Sequence, residues 1–295
     1  MDGIRDAEQG VSGTLYVVPT PIGNLEDMTL RAIRVLKEVD RILAEDTRHT
    51  LILCHHFGIA TPLTSLNEHN LAERLPEVLA RLEGGASMAL VSDAGTPGIS
   101  DPGSPLLEAV LQRGITVRAL PGACAVTTAL SASGFAAQRF VFEGFLPRKG
   151  RDRARRLAEI AGEDRTVAFY ESPKRLEETL KDLERVLPPG RLVVISRELS
   201  KRHESWYRGD AAALVRQFAG WTPRGEVTVM VAGASRGERP EVEAPAVEVR
   251  LKTLFDQGLR VREAASAVAR ETGLPRGDVY RLALDLRRQG ENPDS

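Results

Sequence analysis

Four kinds of segment in this chain carry residue types that can do chemistry. The longest is Val91–Gly103 (VSDAGTPGISDPG), in which three glycines, two prolines, Asp93 and Asp101, and the hydroxyls of Ser92, Thr96 and Ser100 follow a buried-type strand. A loop of this length with Ile99 as its one apolar anchor predicts a ligand-gripping element rather than a plain connection. Its backbone N–H and C=O groups could hold a polar small molecule, and Asp93 or Asp101 could offset a positive charge on it. The alternative is that these aspartates cap the helix starting at Pro105. The second segment, Pro19–Leu25 (PTPIGNL), is stiffened by two prolines, and Gly23 permits close approach of a ligand or backbone. It matches neither a GxGxxG fingerprint nor a GxxxxGK phosphate loop, and a rigid strand-to-helix turn is the alternative.

The third kind is dispersed: Glu45–His49, Ser65–Asn70, Tyr170–Arg175 and Pro223–Thr228. Each alone would serve as a cap or solvated turn, and jointly they form a plausible polar lining. The fourth is Arg148–Arg156, with six basic residues against one acid, which suits either a solvated helix face or contact with phosphates. His55-His56 lacks a partner at metal-ligand spacing, so no metal site is expected.

The elements that must position these residues alternate between strand and helix. Strands are expected at Thr14–Val18, Arg41–Glu45, Met88–Val91 and Ile115–Leu120, with helices at Met28–Val39 (Asp27 as its cap), Leu71–Leu82, Pro105–Gln112 and Ala123–Ala132. The alternation resumes with strands Phe140–Glu143, Thr166–Tyr170, Leu192–Ser196 and Val227–Ala232, and helices Arg151–Ile160, Lys174–Val186 and Asp210–Phe218. This pattern predicts an α/β protein with two mostly parallel sheets covered by helices. In such sheets ligands bind at the carboxyl ends of strands, which is where most of the polar segments fall. Domains are expected at 13–122 and 123–236, preceded by a disordered tail over 1–12. A polar linker then leads to a helix-turn-helix-like appendage over 244–290, built from Val247–Gln257, Arg262–Glu271 and Arg276–Arg288.

Composition narrows the class. The chain has 295 residues, with 42% hydrophobic and 27% charged, ordinary globular usage that excludes fibrous or wholly disordered proteins. Its 40 basic and 41 acidic residues leave a formal charge of −1, so nucleic-acid binding must rest on local patches. Two cysteines, Cys54 and Cys124, are too few for a disulfide framework. No apolar run approaches about 18 residues, and Met1–Gly10 lacks a signal-peptide core. A soluble cytoplasmic protein with no membrane partner is therefore expected.

The stretches VVPTPIGNLEDMTLRAIRVL, EDTRHT, VSDAGTPGISDPG, LPGACAVTTAL, FYESPKRL and PRGEVT, in this order between about 13 and 233, resemble the tetrapyrrole methylase superfamily of S-adenosylmethionine enzymes. Porphyrinoid-methylating members usually carry a GxGPG-type first loop. This chain has Pro-Thr-Pro-Ile-Gly-Asn instead, which favours the branch that modifies small-subunit ribosomal RNA. The resemblance implies a class III fold with the methyl donor, S-adenosylmethionine, held between two α/β domains, no metal, and a homodimer. It also implies methylation of the ribose 2′-hydroxyl of a cytidine in the decoding region of 16S ribosomal RNA. Donor contacts carried over by position are Pro19, Gly23, Gly95, Thr96, Ile99, Ser100, Ala125, Tyr170 and Thr228, with Asp93 beside them. Polar character and strand-end placement make Asp46, His69, Lys174 and Glu226 candidates for handling the hydroxyl proton. Arg48 and Arg175 are expected to hold phosphates, and Arg148, Lys149, Arg151, Arg155 and Arg156 to engage RNA. A porphyrinoid methyltransferase and a non-catalytic, donor-sensing RNA-binding protein are the competing functions.

Overall fold

The computed structural model describes residues 13–100, 103–221, 224–234, 244–272, 274 and 276–291. The expected tail over 1–12, Asp101, Pro223 and the linker lie outside the described residues. Five parallel strands form the first sheet: β1 (Thr14–Val17), β2 (Arg41–Ala44), β3 (Leu63–Ser65), β4 (Ser87–Val91) and β5 (Thr116–Ala119), in the order β3-β2-β4-β1-β5. Alternate side chains supply two cores, because the strand period of two sends neighbours to opposite faces. Ile42 and Ala89 pack with Ala32 and Leu36 of α1 (Leu30–Glu38) and with Leu53 of α2 (Thr47–Phe57). Leu43 and Leu90 pack on the other face with Leu79 and Leu82 of α3 (Leu71–Glu83) and Leu106 of α4 (Ser104–Gln112). Burial on both faces explains why these strands are short continuous apolar runs.

Two local expectations change. Asp27 does not cap α1; Thr29 does, its hydroxyl accepting the Ala32 N–H at 3.1 Å. Helix α2 and strand β3 were not anticipated, because TRHTLILCHHF opens on a polar cluster that resembles a loop. Asp46 caps α2, and Gly58, at φ +61°, closes it.

Helix α5 (Ala125–Ser133) leads to the second sheet: β6 (Phe140–Phe145), β7 (Thr166–Glu171), β8 (Leu192–Arg197), β9 (Ser205–Asp210) and β10 (Val227–Val231), in the order β6-β7-β10-β8-β9. β6 and β7 are parallel, while β10 runs antiparallel to both of its neighbours and β9 antiparallel to β8. Over both sheets five of the eight pairings are parallel. The antiparallel ones arise because residues 198–204 form a tight turn after β8, which returns the chain as a hairpin instead of a helical crossover. Strand β9 (SWYRGD) was not expected, since its polar residues hide the pattern. Helices α6 (Gly150–Gly162), α7 (Leu176–Val186) and α8 (Ala211–Phe218) belong to this half of the chain.

Both sheets lie in one compact unit, Met1–Leu157 with Arg165–Ala232. The second unit, Ala158–Asp164 with Gly233–Ser295, carries α9 (Ala244–Asp256), α10 (Val261–Thr272) and α11 (Arg276–Glu291). Their core comprises Val247, Leu251, Leu254, Ala264, Ala265, Val268, Val279, Ala283 and Leu286. A bidentate Arg250–Glu271 pair ties α9 to α10. Among the described residues no helix is long and apolar enough to cross a membrane.

Candidate functional site

The loops after β1 and β4 are joined directly. The Thr20 N–H donates to the Gly95 carbonyl at 2.9 Å and the Gly95 N–H to the Thr20 carbonyl at 3.0 Å, while the Thr20 hydroxyl donates to the Ser92 carbonyl. Gly95 sits at φ +86°, which an L side chain would strain. The Thr96 hydroxyl donates to the Ala123 carbonyl at 2.9 Å, fastening the second loop to the start of α5. From the other sheet, the Tyr170 phenol oxygen accepts the Val126 N–H at 3.2 Å, satisfying a donor in the first turn of the same helix. Phe142 and Phe145 meet the Tyr170 ring edge-on and hold it in place.

These contacts surround a cleft of about 420 Å³, within the usual size of a small-molecule site. Its apolar walls include Ile22, Ile99, Phe145 and Val227; its polar groups include Thr96, Ser100, Tyr170 and Thr228. Four carboxylate residues, Glu45, Asp93, Glu171 and Glu226, line it, and among the described lining residues there is no lysine or arginine. Such a wall suits a cationic ligand of mixed polarity. Glu171 is buried and fixed, accepting from the Ser172 N–H at 2.7 Å and the Thr179 hydroxyl at 2.6 Å. Asp93 accepts the Asp46 N–H at 3.1 Å and lies 4.0 Å from His49 Nδ1. Helix α4 begins at Gly103 with no side-chain cap, so Asp93 is not spent on it.

A second cavity of about 250 Å³ adjoins the cleft and shares Ile22, Asp93, Ala94 and Glu226 with it. Here Lys201 joins the site from the turn after β8. Its ammonium lies 3.0 Å from Glu198 and 3.2 Å from Glu226. Burial opposes the Lys201 charge, but the two carboxylates outweigh it and hold its pKa above the ordinary value. For Glu198 burial acts upward, yet the Glu226 N–H and Lys201 hold the carboxyl below its usual range.

The expected donor-contact residues separate into three places. Asp93, Gly95, Thr96, Ile99, Ser100, Ala125, Tyr170 and Thr228 all line the cleft. Gly23 lines the second cavity, and the Lys201 side chain occupies the space a Cβ would need, with Cγ at 2.2 Å. Pro19 lines neither and is packed on Gly122, where an added Cβ would be 2.6 Å from the proline ring. Of the proton-handling candidates, Glu226 alone lines the cleft. His69 and Lys174 are exposed and line neither cavity. Asp46 caps α2, and hydrogen bonding from the Arg48 side chain lowers its pKa to about 2, making it a poor proton acceptor. Arg48 in turn is taken up by Asp46 at 2.7 Å.

Arg175 is mostly turned inward: its guanidinium donates to the Leu146 and Pro147 carbonyls and lies 3.5 Å from Glu171, so it braces the cleft wall. Arg148, Lys149 and Arg151 are exposed at the start of α6. Arg155 pairs with Asp152 and Arg156 with Glu143. Glu45 and His49 belong to the segment Glu45–His49 that the sequence marks as polar lining, and they line the cleft and the second cavity respectively. Lys201 falls in none of the marked segments; it follows β8, so the strand-end rule applied to every strand reaches it as well.

The description Tetrapyrrole (Corrin/Porphyrin) Methylases matches residues 14–215, and the RsmI C-terminal HTH domain matches 241–287. Ribosomal RNA small subunit methyltransferase I of Synechocystis sp. is 47% identical over 278 residues, 94% of this chain and 100% of that protein. The protein of the same name from Pseudomonas aeruginosa is 45% identical over 283 residues, 95% of this chain and 99% of that one. Among solved structures, the cobalt precorrin-4 methyltransferase CbiF superposes with a TM-score of 0.58 at 16% identity, covering 74% of this chain and 94% of that one. Uroporphyrin-III C-methyl transferase from Thermus thermophilus, complexed with S-adenyl homocysteine, gives 0.53 at 19% identity, covering 74% and 97%. These structural likenesses establish a shared fold.

Proposed function

Since the chain belongs to the tetrapyrrole methylases and, within them, to the family of the ribosomal RNA small subunit methyltransferase I proteins, we propose that it transfers a methyl group from S-adenosylmethionine to small-subunit ribosomal RNA, at the ribose 2′-hydroxyl of a cytidine in the decoding region. The observation that carries this reading is the acidic cleft, whose four carboxylates and absence of lysine or arginine among the described lining residues fit a sulfonium nucleoside. The family reading brings with it a homodimer in the cytoplasm acting on the small ribosomal subunit.

When bound, the donor supplies a methyl group already activated by its positive sulfur. The protein's task is alignment of oxygen, carbon and sulfur, where positioning is worth on the order of 7–11 kcal/mol. Gly95, Thr96 and Ser100 line the cleft from the loop after β4, and Tyr170 and Thr228 from strands of the second sheet, so donor grip depends on both halves of the chain. As the oxygen–carbon bond forms and the carbon–sulfur bond breaks, the hydroxyl proton passes to Glu226, which lines both the cleft and the second cavity.

Incubation with labelled donor and small subunits from a strain lacking the gene tests the reading, with ribose-methylation mapping to locate the product. Label at a cytidine ribose in the decoding region is expected. Unlabelled subunits, with label transferred to a porphyrinoid in a parallel incubation that replaces them, would favour the tetrapyrrole alternative, and donor binding without transfer to either the sensor alternative. RNA engagement is assigned to the start of α6. Reversing Arg148, Lys149 and Arg151 to glutamate should weaken subunit binding and flatten its log–log salt slope by about 2, from about 0.7 per lost phosphate contact. An unchanged slope would remove these residues from the RNA contact.

A further inference from the structure

We propose that the second cavity is the acceptor-nucleoside subsite, taking one unstacked nucleoside of single-stranded RNA, and that Lys201 positions Glu226 on the wall it shares with the donor cleft. This rests on the reading above and specifies where its RNA substrate enters.

In-line transfer requires donor and acceptor to occupy adjoining spaces with the reacting atoms about 3–3.5 Å apart. The two cavities adjoin, sharing Ile22, Asp93, Ala94 and Glu226 as lining residues. At about 250 Å³ the second cavity suits a nucleoside, whereas a four-ring macrocycle has several times as many atoms. Its chemistry differs from that of the cleft as an RNA nucleoside demands: His49 offers a half-exposed ring for stacking, Ile52 an apolar neighbour, and Lys201 a cation. Bases presented for chemistry are taken out of their stack into such pockets.

Lys201 is built into place. Its Cγ packs in the space left by Gly23, and its ammonium bridges Glu198 and Glu226. The turn that delivers it holds two non-glycine residues at positive φ, Glu198 at +53° and Ser200 at +64°, and Ser200 is hydrogen-bonded across to Asp27. Because its partners keep it protonated, Lys201 orients the Glu226 carboxylate rather than taking the proton.

The test uses the full chain, small subunits lacking the modification, and calorimetry with S-adenosylhomocysteine. Lys201→Met should lower kcat about 100-fold with the S-adenosylhomocysteine Kd changed less than about twofold, and Lys201→Arg should restore at least a tenth of the rate. His49→Trp, at an exposed position lining the second cavity alone, should raise the KM for subunits about 10-fold or more and leave S-adenosylhomocysteine binding intact. Should Lys201→Met fail to fold, His49→Trp and Lys201→Arg still decide. Wild-type kinetics in His49→Trp would overturn the acceptor subsite, and a wild-type rate in Lys201→Met the positioning role. Failure of the unaltered protein to methylate subunits would instead overturn the function itself.

Discussion

Replacing Glu226 by glutamine is expected to cut methyl transfer about 10²- to 10⁴-fold while the affinity for S-adenosylhomocysteine stays within about twofold. That range is what a positioned proton acceptor contributes. Glutamine keeps the shape of the side chain and can still face Lys201 through its amide oxygen, but it cannot take a proton from a hydroxyl. The three other candidates should behave differently. Asp46→Asn weakens a helix cap and an exposed ion pair, and His69→Gln and Lys174→Met alter exposed side chains that line neither cavity. Turnover within about threefold of wild type is expected for all three. Single-turnover rates with saturating donor separate the chemical step from binding. A wild-type rate for Glu226→Gln, or a large loss for His69→Gln or Lys174→Met, would move the proton-accepting role elsewhere.

The second large effect falls on a residue that the basic run conceals. Arg153 is expected to cost about 3 kcal/mol on replacement by alanine, whereas Arg151→Ala, two positions away, should change stability by less than about 0.5 kcal/mol. Arg153 is 5% exposed; its guanidinium meets Asp182 at 2.8 Å, the Thr179 hydroxyl at 2.9 Å and the Pro147 carbonyl at 3.0 Å. Removing it strands buried acceptors in a low-dielectric setting, and an unsatisfied buried group costs more than the bond it made was worth. Thr179 also donates to Glu171, so the loss reaches the cleft wall. Thermal unfolding should show a midpoint lowered by about 6–12 °C for Arg153→Ala. In Arg153→Ala the Asp182 carboxylate keeps only Arg185, at 2.7 Å, so the double variant Arg153→Ala/Asp182→Ala should recover part of the loss by removing that under-satisfied carboxylate. Equal midpoints for Arg153→Ala and Arg151→Ala would show that the internal pair carries no stability.

The contrast between Arg151 and Arg153 indicates where sequence reasoning reaches its limit. Both stand in one run of like charge, and a single-residue alphabet gives them the same meaning. Helical geometry turns them about 200° apart, and the neighbouring α7, with Thr179 and Asp182, decides that one faces inward. Helix α2 shows a second kind of limit. TRHTLILCHHF buries Thr50, Leu53 and Cys54 on one side and leaves Leu51 and Ile52 in the open, so its apolar residues form a block rather than a stripe and give no period to detect. Strand β9 was hidden likewise, since SWYRGD is an edge strand whose polar residues suit solvent better than a core.

What the residues determined by themselves was local and periodic. Short apolar runs between amphipathic helices dictated two helix-covered sheets, and proline, glycine and aspartate after β1 and β4 marked the turns that wall the cleft. Those features depend on φ/ψ preference and side-chain burial, which act over a few residues and are written in order along the chain. The tertiary structure alone decided which polar groups share a space. Lys201 reaches Gly23 and Glu226, and Tyr170 reaches Val126, across long separations in sequence that no spacing encodes. Contacts of that kind are fixed by strand order within a sheet and by how the two sheets pack, and Coulomb attraction and hydrogen bonding act only after that has brought the partners within a few ångströms.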